Sequence, residues 1–401
     1  MATEAAVQPR TALTIASARR WLKLNLFSNR FNSVLTVVTI AFVVFVVYQL
    51  LKFVLVDAEW GVINANRRLI AIGRFPQGEE WRVWPPVWLL GTLIGLSLGL
   101  WSRITAFGLA VILLALAFLF GLMFEGTNAL LAAVGVVLGA TGYLGTQYGR
   151  LSPRALALAE RATRIGWIGL LPLTVVLLLV AGGVRTSLWG GILLNVMLAT
   201  VGIAAGFPIG ILLALGRTSS FPVIRIPVTV FIELIRAGPL IAWLFLARFV
   251  LPSFMPSLFA LDELDIVVRA MLVLSAFTGA YIAEIVRGGL QGLPRGQVEA
   301  ANALGLNGLQ ITTLIVLPQA LRSVIPALVS QFISLWKDTT LVFGLSLFEL
   351  LSVGQATLAQ TDFIGRQTEV FLFVALIFWA VAFAMSRLSA RIEGQLGIGT
   401  R

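Results

Sequence analysis

Residues 299–318 read EAANALGLNGLQITTLIVLP, a stretch in which polar side chains interrupt a chain made mostly of long apolar runs. It contains one acidic residue, Glu299, and no basic residue. Pro294, just before it, suits the first turn of a helix. Gly305 suits a helix stop, because glycine adopts left-handed dihedral angles without strain. The stretch therefore predicts a short helix, a glycine turn and a second helix that leads into the next apolar run.

The composition of the whole chain indicates a protein embedded in a membrane. Of 401 residues, 59% are hydrophobic and 12% are charged, whereas soluble domains carry about 25% charged residues. The chain has no cysteine and no histidine. Disulfides, the commonest general base and the commonest metal ligand are therefore excluded. The net charge of +11 comes from bases between apolar runs, where bases set topology.

Ten apolar runs are long enough to be membrane spans, since a helix needs about 20 residues to cross a bilayer. They lie at 34–56, 86–101, 105–124, 127–148, 165–184, 188–216, 226–250, 266–287, 319–337 and 369–386. The runs are continuous rather than alternating, which excludes a closed barrel of strands. The predicted fold class is an all-α integral membrane protein with about ten transmembrane helices.

Arginines indicate the orientation of these spans, because cytoplasmic loops are rich in Lys and Arg. With a cytoplasmic amino terminus, the basic loops and the carboxy-terminal tail all face the cytoplasm. These bases are Arg103, Arg150, Arg154, Arg161, Arg164, Arg217, Arg225, Arg295, Arg387, Arg391 and Arg401. The outer loop 251–265 has acids and no base. Loop 57–85 is the exception, since it places four arginines outside.

Catalytic and nucleotide-binding motifs are missing from the sequence. None of the three lysines completes a G-x-x-x-x-G-K-[ST] phosphate loop, so ATP binding of the Walker type is excluded. Asp262, Glu263 and Asp265 in the outer loop are interpreted as a solvated acidic face and not as a metal site. We therefore expect a transport protein, with no enzymatic activity of its own, no cofactor and no metal.

Ionisable residues within membrane spans are costly and mark functional sites. They occur after Gly182-Gly183, and the candidate substrate pathway drawn from them is Glu233, Arg236, Glu284, Lys337, Asp338 and Thr339. Structural alternatives stay open for each. Glu233 and Arg236 could pair within one helix, and Glu284 with Arg287 could position the following loop. Lys337 and Asp338 could fix a helix end or face a zwitterion. Asn195 favours an interhelical hydrogen bond.

The opening stretch carries a resemblance to a known family. Glu299-Ala300-Ala301, three residues, Gly305, nine residues and Ile315-x-Leu317-Pro318 resemble the EAA loop of the membrane subunits of ABC importers. Segments 200–217, 232–240, 280–289 and 336–341 resemble the polar amino-acid branch of that family, and the resemblance covers about 186–395. The family's R-G-T-P reads R-A-G-P here, and its K-D-T-S-L reads K-D-T-T-L. The additional early spans resemble the long form of general L-amino-acid permeases.

The resemblance implies a type I ABC-importer permease core in a bacterial inner membrane. The implied contacts with a separate ATPase are Glu299, Ala300, Ala301, Gly305, Leu317 and Pro318. Implied partners are an ATPase dimer, a second, similar or identical permease and a periplasmic amino-acid-binding protein. The implied division is a cytoplasmic segment 1–33, accessory helices 34–185, a core 186–395 containing the coupling loop 294–318, and a tail 396–401. The alternatives are an ion-gradient-driven secondary transporter of amino acids and a membrane scaffold that does not transport.

Overall fold

A computed structural model describes residues 15–101, 126–149, 152–180, 182–254 and 264–396. The chain divides into two compact units, Met1–Trp60 and Gly61–Arg401. The predicted third span 105–124, the acids Asp262 and Glu263 and the end of the predicted tail lie outside the described residues.

The first unit contains helices α1 (Ile15–Asn25) and α2 (Arg30–Lys52), and a π-helical turn at Phe53–Asp57 follows. Asn29 caps α2 by accepting a hydrogen bond from the backbone N–H of Asn32 at 2.7 Å. No residue of α2 is buried. A helix that is apolar on all sides is suited to contact with lipid chains.

The second unit is helical throughout its described part. Its first helices are α3 (Gly61–Ala65), α4 (Arg67–Ile72), α5 (Trp84–Trp101), α6 (Gly126–Gln147), α7 (Pro153–Leu179) and α8 (Gly191–Arg217). The next are α9 (Pro222–Ala237), α10 (Leu240–Phe245), α11 (Leu251–Phe254), α12 (Ile266–Gln291) and α13 (Arg295–Ala303). The last are α14 (Gly308–Gln310), α15 (Leu317–Asp338), α16 (Leu350–Leu358) and α17 (Gln367–Leu396). Within the described ranges, the β-structure is limited to an isolated bridge between Gly191 and Glu349.

The all-α membrane fold is confirmed. Among the described residues, eight helices are long and apolar enough to cross a membrane, or nine when a bent pair counts as one span. They coincide with the predicted spans, apart from the third span, on which the structure gives no description. Several begin earlier or end later than the apolar run that predicted them, as in α7, which starts at Pro153.

The seventh predicted span, 226–250, differs from a single straight helix. It consists of Pro222–Ala237 and Leu240–Val250, which meet at an angle of 105°. Pro239 has no backbone N–H and pushes the preceding residue out of the helical region. Gly238 accordingly has an extended backbone, with φ −101° and ψ 151°. The Trp243 indole donates to the carbonyl of Ile235 at 3.0 Å, so one carbonyl freed by the break regains a partner.

Helices α8 and α12 form the centre of the second unit. Gly202, Gly206 and Gly210 on α8 lie against α12, where a Cβ on Gly206 would stand 3.0 Å from Thr278. Small residues at such positions let two membrane helices approach closely. Ile282 of α12 is fully buried. This tight pair makes α8 and α12 the frame on which the polar groups described below are mounted.

Loop 57–85, the exception to the charge rule, is folded into the second unit from Gly61 onwards. Ile70, Ile72 and Phe75 are at most 5% exposed. Gly73 lies so close to Gly190, at the start of α8, that a Cβ on Gly190 would stand 2.7 Å from the Cα of Gly73.

Three of the four arginines of this loop make described contacts within the second unit. Arg68 pairs with Glu80. Arg82 pairs with Glu79 at 2.5 Å and donates to two carbonyl oxygens at the end of α7. Arg74 lies over the ring of Phe348 at 4.4 Å. The charge of these arginines is used in contacts within the fold. This gives a physical reason why loop 57–85 departs from the rule that basic loops are cytoplasmic.

Candidate functional site

The predicted coupling loop forms the connection between α12 and α15. Helix α13 ends in a Schellman motif, in which the N–H of Gly305 donates to Asn302 O at 2.9 Å and the N–H of Leu306 donates to Ala301 O at 3.2 Å. Gly305 has φ +78°, and nothing lies within 4 Å of a Cβ built on it. The predicted helix stop at Gly305 is confirmed, and left-handed backbone geometry is its cause.

A second device restarts the helix after this turn. Asn307 accepts from the N–H of Gln310 at 2.9 Å, and the Gln310 side chain accepts from the N–H of Asn307 at 3.0 Å. This is a reciprocal capping box. The pattern N-x-x-Q at 307–310 is the local sequence signal for this restart. Residues Ile311–Val316 then form a π-helix that passes into α15.

The six predicted coupling residues divide into exposed and inward-facing ones. Glu299, Ala300, Gly305 and Pro318 are exposed. Ala301 is 2% exposed and faces its own chain. Leu317 packs against the apolar cluster that contains Ile282 and Val286 of α12. The methyl group of Ala301 is thus covered by its own chain, and the contact of all six residues with an ATPase stays a prediction.

Three arginines surround one carboxylate near the coupling loop. Arg217, the last residue of α8, is 2.6 Å from Glu284 and 2.7 Å from Glu233. Arg287 lies 2.9 Å from Glu284, and Arg236 lies 3.6 Å from it. We call these five residues the inner charge cluster. The cluster joins α8, α9 and α12 at the end of the bundle from which the coupling loop emerges.

The predicted pairing of Glu233 with Arg236 is wrong. Glu233 pairs with Arg217, and Arg236 reaches Glu284 and lies over the ring of Tyr281 at 5.3 Å. The pairing of Glu284 with Arg287 is confirmed. The partner that sequence spacing missed is Arg217, which is 67 positions from Glu284 in the chain.

A buried polar network lies at the other end of α8. The amide of Asn195 donates to Thr339 Oγ1 at 2.9 Å and to Glu349 Oε2 at 3.3 Å, and its oxygen accepts from the N–H of Leu350 at 2.9 Å. Asn195, Thr339 and Glu349 are all 0% exposed. We call these three residues the outer polar network. The predicted interhelical role of Asn195 is confirmed.

Glu349 did not figure among the predicted residues. Its carboxylate caps α16, accepting from the N–H groups of Leu351 at 2.8 Å and Ser352 at 2.7 Å. Burial raises the pKa of this carboxyl group, and the hydrogen bonds from Leu351, Ser352 and Asn195 partly oppose the rise. Glu349 therefore ties α16 to α8, and nothing in its local sequence signals the distant partner.

Lys337 and Asp338 end α15 beside the outer polar network. Lys337 is exposed and Asp338 is half-buried. Within the described part of the chain, no ion pair joins either residue to an opposite charge within 4 Å. The adjacent Thr339 is fully buried, and its hydroxyl group bonds to Asn195 and to Trp336 O.

The candidate pathway residues therefore fall into two groups. Asn195, which contacts Thr339, and Arg217, which contacts Glu233 and Glu284, are 22 positions apart on α8. At about 1.5 Å per residue this separation is about 33 Å, close to the thickness of a membrane core. A cleft of about 420 Å³ opens beside the inner group between α12 and α15, where Glu284, Gly288, Gly292 and Ser323 line it.

The sequence was compared with known proteins. Residues 206–396 match the family described as "Binding-protein-dependent transport system inner membrane component". The glutamate/glutamine/aspartate/asparagine transport system permease protein BztC of Rhodobacter capsulatus is 32% identical over 97% of this chain and 96% of its own length. The chain belongs to this permease family.

A further permease and a solved structure are similar to parts of the chain. The inner membrane amino-acid ABC transporter permease protein YhdY of Escherichia coli is 44% identical over 58% of this chain, which spans 64% of YhdY. A crystal structure of an amino acid ABC transporter with histidines is 27% identical over 50% of this chain and 90% of its own, with a TM-score of 0.44. Family membership makes this permease a multi-pass membrane subunit of an ABC importer, of the type found in bacterial inner membranes.

Proposed function

We propose that this permease forms half of the translocation pathway of an ATP-driven importer of amino acids. A second, similar or identical permease supplies the other half, an ATPase dimer binds on the cytoplasmic side, and a periplasmic protein delivers the amino acid. The permease has no enzymatic activity of its own, and its amino terminus is cytoplasmic. Family membership and the amino-acid permease names of YhdY and BztC support this proposal.

The proposal of ATPase coupling rests on the exposed helix α13. It is nine residues long, stops at a positive-φ glycine and presents Glu299 and Ala300 to solvent. Leu304, the residue before the turn, is 81% exposed, and Leu309 after it is 74% exposed. A short helix that projects a carboxylate and large apolar side chains is suited to insertion into a cleft of another protein.

The ion-gradient alternative has less support. A carboxylate that carries a coupling ion must be free to bind it, and Glu233 and Glu284 are both held by arginine. Family membership also favours ATP as the energy source.

Copurification and transport test the coupling proposal. Glu299→Lys reverses an exposed charge on α13, and Asp362→Lys reverses an exposed charge that lies after α16, away from the loop. We expect Glu299→Lys to lose ATP-driven uptake in proteoliposomes and to copurify less ATPase, while Asp362→Lys resembles the parent. Equal uptake and equal ATPase recovery in the two variants would refute coupling through α13.

A further inference from the structure

The first unit contains a short helix that carries several basic residues, unlike the mostly apolar span that follows it. Helix α1 is eleven residues long, with the sequence IASARRWLKLN. At about 100° per residue, Arg19, Arg20 and Lys23 fall within roughly one quarter of its circumference. Trp21 and Leu22 fall on the opposite side. A helix with a basic face and a Trp/Leu face is suited to lie in the plane of a membrane surface.

The apolar face of α1 is open to its surroundings. Trp21 is 58% exposed and Leu22 is 43% exposed. Large apolar side chains gain about 1.5–3 kcal/mol each when they are fully buried. These side chains therefore favour a location in which the headgroup and acyl regions of a bilayer cover them.

The junction between α1 and α2 is short and is held by hydrogen bonds. Only four residues separate the two helices. The Thr36 hydroxyl of α2 donates to the carbonyl of Leu26 at 2.8 Å, and Asn25 donates to the carbonyl of Trp21 at 2.9 Å. Asn29 caps the first turn of α2. The helix is therefore interrupted before the apolar span begins, and four residues lie between the end of α1 and the start of α2.

The charge near this junction has one sign. Between Glu4 and Asp57 the sequence contains no acidic residue, and Arg19, Arg20, Lys23 and Arg30 precede or begin the span. Basic residues at a membrane surface attract anionic lipids by about 1 kcal/mol each. A ligand that satisfies them must be anionic and must be present at the membrane surface, and phospholipid headgroups meet both conditions.

We propose that α1 is an interfacial helix that binds anionic phospholipid headgroups through Arg19, Arg20 and Lys23, with Trp21 and Leu22 inserted below them. The proposed binding uses none of the residues of the coupling loop or of the two polar groups, and it does not depend on the proposed transport activity.

The chain has no cysteine, so one introduced thiol can report the position of α1 in the whole protein. Leu22→Cys is spin-labelled in the full-length permease and reconstituted in vesicles of phosphatidylcholine alone or with about 30% phosphatidylglycerol, a composition that adds negative surface potential. Accessibility of the label to oxygen and to a water-soluble nickel chelate measures its depth. We expect a label shielded from nickel in the anionic vesicles and far less so in the neutral ones.

Charge variants in the labelled background distinguish lipid binding from simple apolar insertion. Arg19→Gln/Arg20→Gln/Lys23→Gln should weaken the bound position about 100-fold, since 1 kcal/mol per base is about fivefold. Arg19→Lys/Arg20→Lys keeps the charge and should keep the shielding. Lys52→Gln, at the other end of α2, is the matched control and should have no effect.

Raised salt should also release the label. At physiological ionic strength the attraction between bases and headgroups acts over about 8–10 Å, and added salt shortens this distance. Equal shielding in neutral and anionic vesicles would overturn the proposal. Shielding that survives the triple glutamine variant, or that occurs only after an ATPase is added, would overturn it as well.

Discussion

Gly305 shows how one backbone angle shapes the loop that we propose for coupling. With φ +78° and open space around its Cα, only conformational strain opposes a side chain at this position. Gly296, in the same loop, is also surrounded by open space but has no positive φ. Comparing the same substitution at the two glycines therefore separates the effect of backbone geometry from the effect of side-chain bulk.

We predict that Gly305→Ala impairs transport and that Gly296→Ala does not. A left-handed residue with a Cβ costs about 1–2 kcal/mol, whereas alanine within a helix is more favourable than glycine by about 1 kcal/mol. ATP-driven uptake and ATPase activity in proteoliposomes measure the effect. Parallel losses in both variants would mean that added bulk, rather than the turn, matters.

Asp338 is the residue on which the substrate-path hypothesis depends most directly. It is half-buried and adjoins Lys337, and the two form no ion pair within 4 Å in the described structure. The local ion pair that the sequence left open is thus not formed, while a zwitterion could meet one charge of each sign.

We expect Asp338→Asn to lower uptake more than tenfold. Loss of a buried charge that contacts a ligand costs about 2–5 kcal/mol, and about 1.4 kcal/mol is a factor of ten. Asp362→Asn, an exposed acid after α16, is the control. Uptake within about twofold of the parent at equal protein level would assign Asp338 to structure.

At the scale of elements, local signals were readable from sequence and distant partners were not. The apolar runs gave the spans, and Gly305 gave the helix stop, because both depend on neighbouring residues. The bend at Gly238-Pro239 also has a local cause, but it lies within a long apolar run that predicted a single span. Arg217 was missed because its carboxylate partners lie on other helices. The same holds for Glu349, whose partner Asn195 is 154 positions away.

The inner charge cluster is the clearest polar connection among helices α8, α9 and α12. Arg217 and Glu284 are 20% and 17% exposed at their side chains, so their interaction is only partly screened. Removing one partner from a buried ion pair costs about 3–5 kcal/mol. Without Glu284, the three arginines Arg217, Arg236 and Arg287 would lose the carboxylate that they share and would repel one another.

A double-mutant cycle with Arg217→Gln and Glu284→Gln should therefore show strong coupling. We expect each single variant to lower the thermal midpoint in detergent and the double variant to lose less than the sum, with a coupling energy of about 1–3 kcal/mol. Arg164→Gln with Glu160→Gln, an exposed pair at 3.1 Å on α7, should give about 0.5 kcal/mol or less. Additive losses at Arg217 and Glu284 would show that the cluster does not act as a unit.

At the scale of the whole molecule, the open question is where the transport core begins. The proposed accessory region 34–185 includes two kinds of structure. Residues up to Trp60 form a compact unit of their own. Residues 61–75 belong to the second unit, where Ile72 and Phe75 share an apolar cluster with Leu194 and Leu198 of α8.

We predict that these two parts respond differently to removal. A variant lacking 1–150 loses the first four predicted spans, an even number, so the direction of α8 is kept, but it also loses the contact of Gly73 with Gly190 and the burial of Ile70, Ile72 and Phe75. At about 1.5–3 kcal/mol per large apolar side chain, this loss should lower the thermal midpoint and reduce copurification with an ATPase. Replacing 1–60 with an unrelated single-span helix keeps the topology and all these contacts, so it should resemble the parent. If the variant lacking 1–150 inserts, melts and assembles like the full chain, the accessory spans that it lacks are separable from the core, and the packing of residues 61–75 on α8 contributes little to the core.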